Sequence, residues 1–177
     1  MTQFCELAGN ESVKLCPPLQ RLKSEHVPLR AQMKNLYELS VSIEKEKEMG
    51  RMKDKLWQLR NGVIEFVTLL DPHSEKEEGV LFPMVANYIG KDVGPIYVME
   101  YEHDQAKGNL RKFLEETIHV EKCLNSIVIL EMAEFYNQAY HVLQGHFLKE
   151  EEILFPMAEK LLTSEEKIKL ENQIGTI

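Results

Sequence analysis

Four stretches of the chain carry apolar residues at alternating steps of three and four, the spacing of one face of a helix. The first stripe is Leu19, Leu22, His26, Leu29, Met33, Leu36 and Ile43; the second is Met52, Leu56, Leu59, Val63, Phe66, Leu70, His73, Glu77, Val80 and Met84. The third is Ile96, Met99, His103, Ala106, Leu110 and Phe113; the fourth is Ile129, Met132, Tyr136, Ala139, Leu143, His146, Glu150, Ile153 and Met157. No stretch alternates with the period of two that a strand requires, so the pattern predicts an all-α fold. Four stripes with short connections predict an up-down-up-down four-helix bundle over residues 17–177. A weakly periodic N-terminal arm, residues 1–16, precedes it. Thr163-Ser164-Glu165-Glu166 predicts the cap of a short C-terminal helix.

Turn chemistry divides the stripes. Pro17-Pro18 suits a helix start, Gly90 to Pro95 reads as a loop with Pro95 opening the next helix, and the polar stretch Thr117 to Asn125 makes the following connection. The charged run Glu44 to Glu48 before Gly50 predicts a helix stop at that glycine. Pro28 falls inside the first stripe, where an interior proline costs about 3 kcal/mol. It predicts either a bend there or a regular helix that begins close to His26. Pro72 and Pro83 predict further local distortion.

Polar residues on these stripes carry the candidate chemistry. His73 to Pro83 and His146 to Pro156 both read H-x-x-K-E-E-x-x-L-F-P. Each holds a histidine and a glutamate at i and i+4, on one helical face and about 6 Å apart along the axis. His26 and His103 add one inward imidazole from each remaining stripe. Gly50 lies close to midway between His26 and His73, and the Thr117 to Asn125 connection close to midway between His103 and His146. In antiparallel neighbours the four histidines then fall at about one height, and the chain reads as two similar hairpins.

A lone histidine on an apolar face is usually a hydrogen-bonded core residue, and a lone His-x-x-x-Glu is often a surface pair. The conjunction of four imidazoles and two carboxylates in one buried layer is different. A buried polar group without a partner costs about 1–3 kcal/mol, and a buried charge more. Bound cations remove that burden, with Glu77 and Glu150 bridging two ions and His26, His73, His103 and His146 in terminal positions. Nitrogen and oxygen donors without thiolate suit iron or manganese, with zinc possible by affinity. Six such residues without cysteine favour a dinuclear centre over structural zinc. His119 and His141 do not share the register and read as ordinary surface or packed residues. Glu25 and Glu102 read as surface or outer groups beside the ligands, as do Glu78, Glu151 and Glu152. No catalytic residue beyond the metal set is identifiable.

Composition narrows the partners. With 177 residues and a hydrophobic fraction of 44%, the chain suffices for one domain with a real core. A net charge of −8 argues against nucleic acid or an anionic membrane surface. No apolar run is long enough to span a bilayer, and Met1 to Glu6 shows no basic and apolar leader pattern. Cys5, Cys16 and Cys123 are scattered and odd in number, which predicts a reduced, cytoplasmic setting without disulfides.

Glu25-His26, His73-x-x-x-Glu77 before Leu-Phe-Pro, Glu102-His103-Asp104 and His146-x-x-x-Glu150 before Leu-Phe-Pro together resemble the hemerythrin-like HHE cation-binding family. The likeness spans about Leu19 to Lys160. The segment Gly94 to Ala106 looks in particular like the corresponding helix of the repair-of-iron-centres (Ric) di-iron proteins. The resemblance implies two non-haem irons held by His26, His73, His103 and His146 and bridged by Glu77 and Glu150. Two departures qualify it. Oxygen-carrying hemerythrins place a second histidine one turn after the third-helix ligand, where this chain has Lys107. An open position there suits redox reaction, nitric oxide capture or metal release better than reversible O2 storage. Ric proteins also carry an N-terminal domain with an adjacent cysteine pair, for which the arm before Pro17 is too short.

Three functional classes follow. The leading expectation is a di-iron protein that senses or reacts with O2, peroxide or nitric oxide, or handles iron under oxidative or nitrosative stress. The second is a repair factor that donates iron to an apo iron–sulfur protein. The third is a di-iron enzyme of peroxidase-like or nitric-oxide-reductase-like activity.

Overall fold

The computed structural model describes residues 13–122 and 125–177, and among them every regular element is helical. In order they are α1 (Pro17–Glu44), α2 (Met49–Lys76), a π-turn (Glu77–Leu81), α3 (Phe82–Ile89), α4 (Pro95–Glu116) and a 3-10 segment (Thr117–Lys122). Then come α5 (Ser126–Lys149), a second π-turn (Glu150–Leu154), α6 (Phe155–Leu161) and α7 (Ser164–Ile174). The N-terminal arm up to residue 12, with Cys5, lies outside the described residues, as does Cys123.

Two compact units divide the chain. One comprises the described residues up to His26 together with Pro72–Glu100 and His146–Ile177; the other comprises Val27–Asp71 and Tyr101–Gly145. α1, α2, α4 and α5 each lend a segment to both.

Within the second unit, four helical segments form the predicted antiparallel ring. Lys55 Nζ of α2 donates to the Ser42 carbonyl of α1 at 3.0 Å. Further along α2, Gly62 meets Leu36, so the partner number falls as the α2 number rises. A Cβ on Gly62 would stand 2.3 Å from Leu36 Cδ2, so glycine is what lets α1 and α2 approach so closely there. α2 reaches α4 and the 3-10 segment through Arg60 Nη1 to the Leu114 carbonyl at 2.6 Å and Lys53 Nζ to the Glu121 carbonyl at 2.9 Å. α1 and α5 are joined by Ser40 Oγ to Asn137 Oδ1 and by Tyr136 OH to the Met33 carbonyl, each 2.7 Å. Phe113 of α4 meets Tyr136 of α5 edge-on.

The first unit is built around a separate apolar cluster. Leu19 and Leu22 of α1 join Leu81, Phe82 and Val85, Ile96, Leu154, Phe155 and Ala158, and Leu170 and Ile174 of α7. Each of these side chains larger than alanine contributes about 1.5–3 kcal/mol when buried. The predicted cap of α7 is present as a reciprocal capping box between Thr163 and Glu166. Glu159 ties three elements together: its carboxylate accepts from the Cys16 backbone N–H at 2.7 Å, at the mouth of α1, and from Lys167 Nζ at 2.6 Å. Gly90 and Gly94 bracket the loop before α4 with φ of 83° and 90°, a conformation that glycine adopts without strain.

Three sequence expectations are corrected. α1 stops at Glu44, not at Gly50, which is already the second residue of α2. The acidic run acts as a cap: the Glu48 carboxylate accepts from the N–H groups of Gly50 at 2.9 Å and Arg51 at 2.8 Å. Of the two alternatives at Pro28 the later start is excluded, for α1 runs without a break from Pro17 to Glu44 with Pro28 inside it. Pro28 and Ser24, whose carbonyl loses its bond, are both exposed, so the vacated position is open to solvent.

The third correction concerns Ile153, placed in the core by its stripe but 50% exposed; Leu154 is buried instead. Each π-turn closes a five-residue bond, Phe82 N–H to the Glu77 carbonyl and Phe155 N–H to the Glu150 carbonyl. The wider turn holds one extra residue, so the buried face advances by one position beyond it. Leu81 at the end of the first π-turn and Val85 beyond it are accordingly fully buried, as are Leu154 at the end of the second and Ala158 beyond it. Pro83 and Pro156 supply a local reason, since each ring would clash with the carbonyl four residues back in a regular helix.

This register makes a testable distinction. Leu154→Ala should destabilise the protein by about 2–5 kcal/mol in urea denaturation, whereas Ile153→Ala should stay within about 0.5 kcal/mol of the parent. The reverse ranking would restore the unbroken helical register.

Candidate metal centre

The buried polar residues of the first unit gather where α2 and α5 pass into their π-turns. His73 stands in the last turn of α2 and Glu77 opens the π-turn after it; His146 and Glu150 repeat the arrangement at the end of α5. His26 comes from α1. All five are at most 2% exposed.

One donor atom from each of His26, His73, Glu77 and Glu150 lies within 4.8 Å of every other. His26 Nε2 is 3.1 Å from His73 Nε2 and 3.3 Å from Glu150 Oε2. His73 Nε2 is 3.4 Å from Glu77 Oε1, and His146 Nε2 is 3.0 Å from Glu150 Oε1. Both Glu150 oxygens are buried without a properly directed hydrogen bond. His103, the remaining predicted ligand, lies on α4 in the second unit and is buried there at 4% exposure.

The outer nitrogens of two of these imidazoles are already committed. His26 Nδ1 is 2.8 Å from Glu151 Oε1, and His73 Nδ1 is 2.9 Å from Glu25 Oε2. A carboxylate facing Nδ1 fixes that nitrogen as the donor. In the neutral rings Nε2 is then a bare lone pair on both, and the two lone pairs face each other. That contact is repulsive unless something electrophilic lies between or beside them. Burial lowers the pKa of His73, against the pull of Glu25, which opposes resolving the clash by protonation.

The carboxylates share the same tension. Burial and the adjacent Glu150 charge hold the Glu77 carboxyl well above the usual carboxylate range. Burial acts on Glu150 in the same direction, but the His146 imidazole 3.0 Å away outweighs it and keeps that carboxyl low. A divalent cation satisfies lone pairs and carboxylates together, and the donor set of nitrogen and oxygen without sulfur fits iron, manganese or zinc. The residues present therefore fit a metal.

Around this cluster the environment is shaped twice over. Glu25 is braced by Lys76 Nζ at 2.7 Å, with Arg21 Nε at 3.8 Å. Burial would raise the Glu25 pKa, but the bonds from His73 and Lys76 prevail and lower it to about 2. On the other side Phe147 stacks on His26 with centroids 4.4 Å apart and Phe155 at 5.6 Å, an apolar wall that limits water. The sequence pattern places Glu25 and Glu151 only at the surface or in the surroundings of the site; the structure gives each a specific imidazole. The pattern does not single out Lys76 or the two phenylalanines. For Lys76 and Phe155 the signal is the repeat itself, which keeps Lys and Phe-Pro fixed relative to both His-x-x-x-Glu pairs; Phe147 has no such signal, for the first copy has Ser74 in its place.

His141 is exposed and packs edge-on against Tyr37 and Tyr140, and His119 is exposed in the 3-10 segment, so neither belongs to the cluster. Cys16 is also apart from it: burial and the nearby Glu159 push its thiol up to about 11, which leaves it protonated. No helix among the described residues is long and apolar enough to cross a membrane.

Comparison with known proteins agrees with this geometry. The iron-sulfur cluster repair protein YtfE of Escherichia coli O157:H7 is 28% identical over 140 residues, covering 76% of this chain and 64% of that protein. The proteins of the same description from E. coli K12 strain DH10B and Shigella boydii serotype 18 are 28% identical over 144 residues with the same coverage. This chain thus spans 64% of the length of these relatives. The sequence model of the hemerythrin HHE cation binding domain matches residues 18–158, which contain every residue of the cluster. The chain belongs to the hemerythrin HHE cation-binding family.

Proposed function

We propose that the chain is a non-haem di-iron protein that senses or reacts with O2, peroxide or nitric oxide, or handles iron under oxidative or nitrosative stress. His26, His73, His103 and His146 are its terminal ligands and Glu77 and Glu150 its bridges. The observation that carries this reading is the pair of Nε2 atoms 3.1 Å apart on imidazoles whose Nδ1 atoms are held by Glu25 and Glu151. His103 enters on its register in the third stripe, its burial and its place within the matched residues 18–158. Scattered cysteines favour the reducing cytoplasm as its setting.

The protein's own groups perform three tasks in this scheme. The carboxylates of Glu25 and Glu151 hold two rings in the tautomer that presents Nε2 inward. Glu77 and Glu150, one turn after a histidine each, bring negative charge into a layer that otherwise excludes it. Phe147 and Phe155 restrict the water around His26. A pair of irons would supply the redox chemistry and a coordination position for a small ligand. Lys107 offers no imidazole where oxygen carriers have a further histidine, which favours reaction or metal release over O2 storage.

A second reading is favoured by the relatives, which are described as iron-sulfur cluster repair proteins. In it, the same iron is cargo, delivered to an apo iron–sulfur protein.

Anaerobically purified protein should contain about two irons per chain, with the optical and Mössbauer signature of a bridged pair. Glu77→Ala combined with Glu150→Ala should abolish paired loading while the helical circular dichroism persists; unchanged iron content would remove their bridging role. Removing the metal with a chelator should lower the melting temperature, since a ligand bound only by the native state stabilises it. Iron transfer to an apo cluster protein without turnover would select the repair reading. Rapid consumption of peroxide or nitric oxide would select the reactive one.

A further inference from the structure

Lys76 is 7% exposed, although lysine is almost never buried without a partner. Its ammonium lies 2.7 Å from Glu25 Oε1. The other oxygen of that carboxylate, Oε2, is 2.9 Å from His73 Nδ1. The opposite nitrogen of the same ring, Nε2, points into the metal cluster, 3.1 Å from His26 Nε2 and 3.4 Å from Glu77 Oε1. One continuous path of charge and hydrogen bonds therefore runs from a buried cation through a carboxylate and an imidazole to the metal cluster. Lys76 follows His73 by three residues on the same helix, so both side chains share a face. The second copy of the repeat has Lys149 in the same place after His146.

From this arrangement we propose that Lys76 is a positioning residue that sets the redox balance of the bound iron through Glu25 and His73. The inference rests on the iron reading given under Proposed function. A carboxylate that accepts from a ligand imidazole makes that ligand more basic, which favours the more highly charged, ferric state. An ammonium on the far oxygen draws electron density away and weakens that push. It also adds a positive charge near the metal, which disfavours further positive charge there. Both effects of Lys76 act in one direction, toward the ferrous state. Glu25 alone acts in the other. The tightness of the contact matters, because Lys76 is buried and Glu25 only a quarter exposed, so salt screens the pair less than one on the open surface.

The test uses opposite-signed variants of the full chain loaded with iron, titrated anaerobically against redox mediators. Lys76→Met, a neutral side chain of similar length, should raise the ferric-to-ferrous ratio at a fixed potential about tenfold, a fall of about 59 mV in a one-electron potential. Glu25→Gln keeps an acceptor oxygen for His73 but removes the charge, and should move the potential upward. Lys76→Arg should keep the parent potential. A merely structural role for Lys76 would lower iron affinity in Lys76→Met and Glu25→Gln alike without opposite shifts in potential. Unshifted potentials, or shifts of the same sign, in variants that still bind two irons would overturn the inference while leaving the di-iron reading intact. If Lys76→Met retains too little iron to titrate, Glu25→Gln decides, and an unchanged potential there overturns it. Failure of the parent chain to bind iron at all would overturn both.

Discussion

Two imidazoles that have given their outer nitrogens to carboxylates retain only inward lone pairs, and that restriction governs the centre of this protein. Glu25 and Glu151 impose it on His73 and His26. Once the rings are so held, neither can relieve the crowding by turning its N–H inward. Protonation is opposed by burial, at least at His73. The remaining solution is a cation, and the same cation answers the buried carboxyl groups of Glu77 and Glu150. The side chains that need a metal are thus placed by side chains outside the donor cluster.

Economy in the sequence follows from this placement. Glu25 and His26 are neighbours on α1, and Glu150 and Glu151 are neighbours on the second π-turn. In each pair one residue faces the cluster, and the other orients an imidazole of a different element. α1 and the second π-turn therefore serve each other, with His26 and Glu150 meeting inside and Glu151 reaching the back of His26. The apolar cluster of the same unit, from Leu19 and Leu22 to Leu154 and Phe155, fixes these elements against one another, so the donor atoms are held by packing as well as by charge.

Much of this is legible in the chain alone. The stripes name nearly every buried apolar position on α1, α2, α4 and α5, because an amphipathic helix writes its inward face directly into the spacing of its residues. The duplicated H-x-x-K-E-E-x-x-L-F-P names the His-x-x-x-Glu pairs of the cluster, because a polar pattern set twice on apolar faces needs one shared partner to offset its burial. What is not legible depends on contacts between elements. Nothing in the local sequence says which carboxylate will meet which Nδ1, so Glu25 and Glu151 can be placed near the site but not assigned. The stop expected at Gly50 falls earlier because the Glu48 carboxylate caps α2, and a side-chain cap outranks a nearby glycine. Ile153 departs from its stripe because the stripe assumes a uniform turn, whereas the prolines mark a distortion without giving its sense.

The π-turns carry a further meaning. A regular helix advances about 100° per residue, so a supernumerary residue in a regular turn would reorient everything after it relative to the histidine before it. Deleting one residue from the middle of Glu77–Leu81 would let the chain heal into ordinary helix with Val85 still turned toward the apolar cluster and His73 where it was. The same holds for Glu150–Leu154 and Ala158. Each turn therefore absorbs a one-residue difference in length where it occurs and leaves the direction of the helix beyond it, relative to the histidine before it, unchanged.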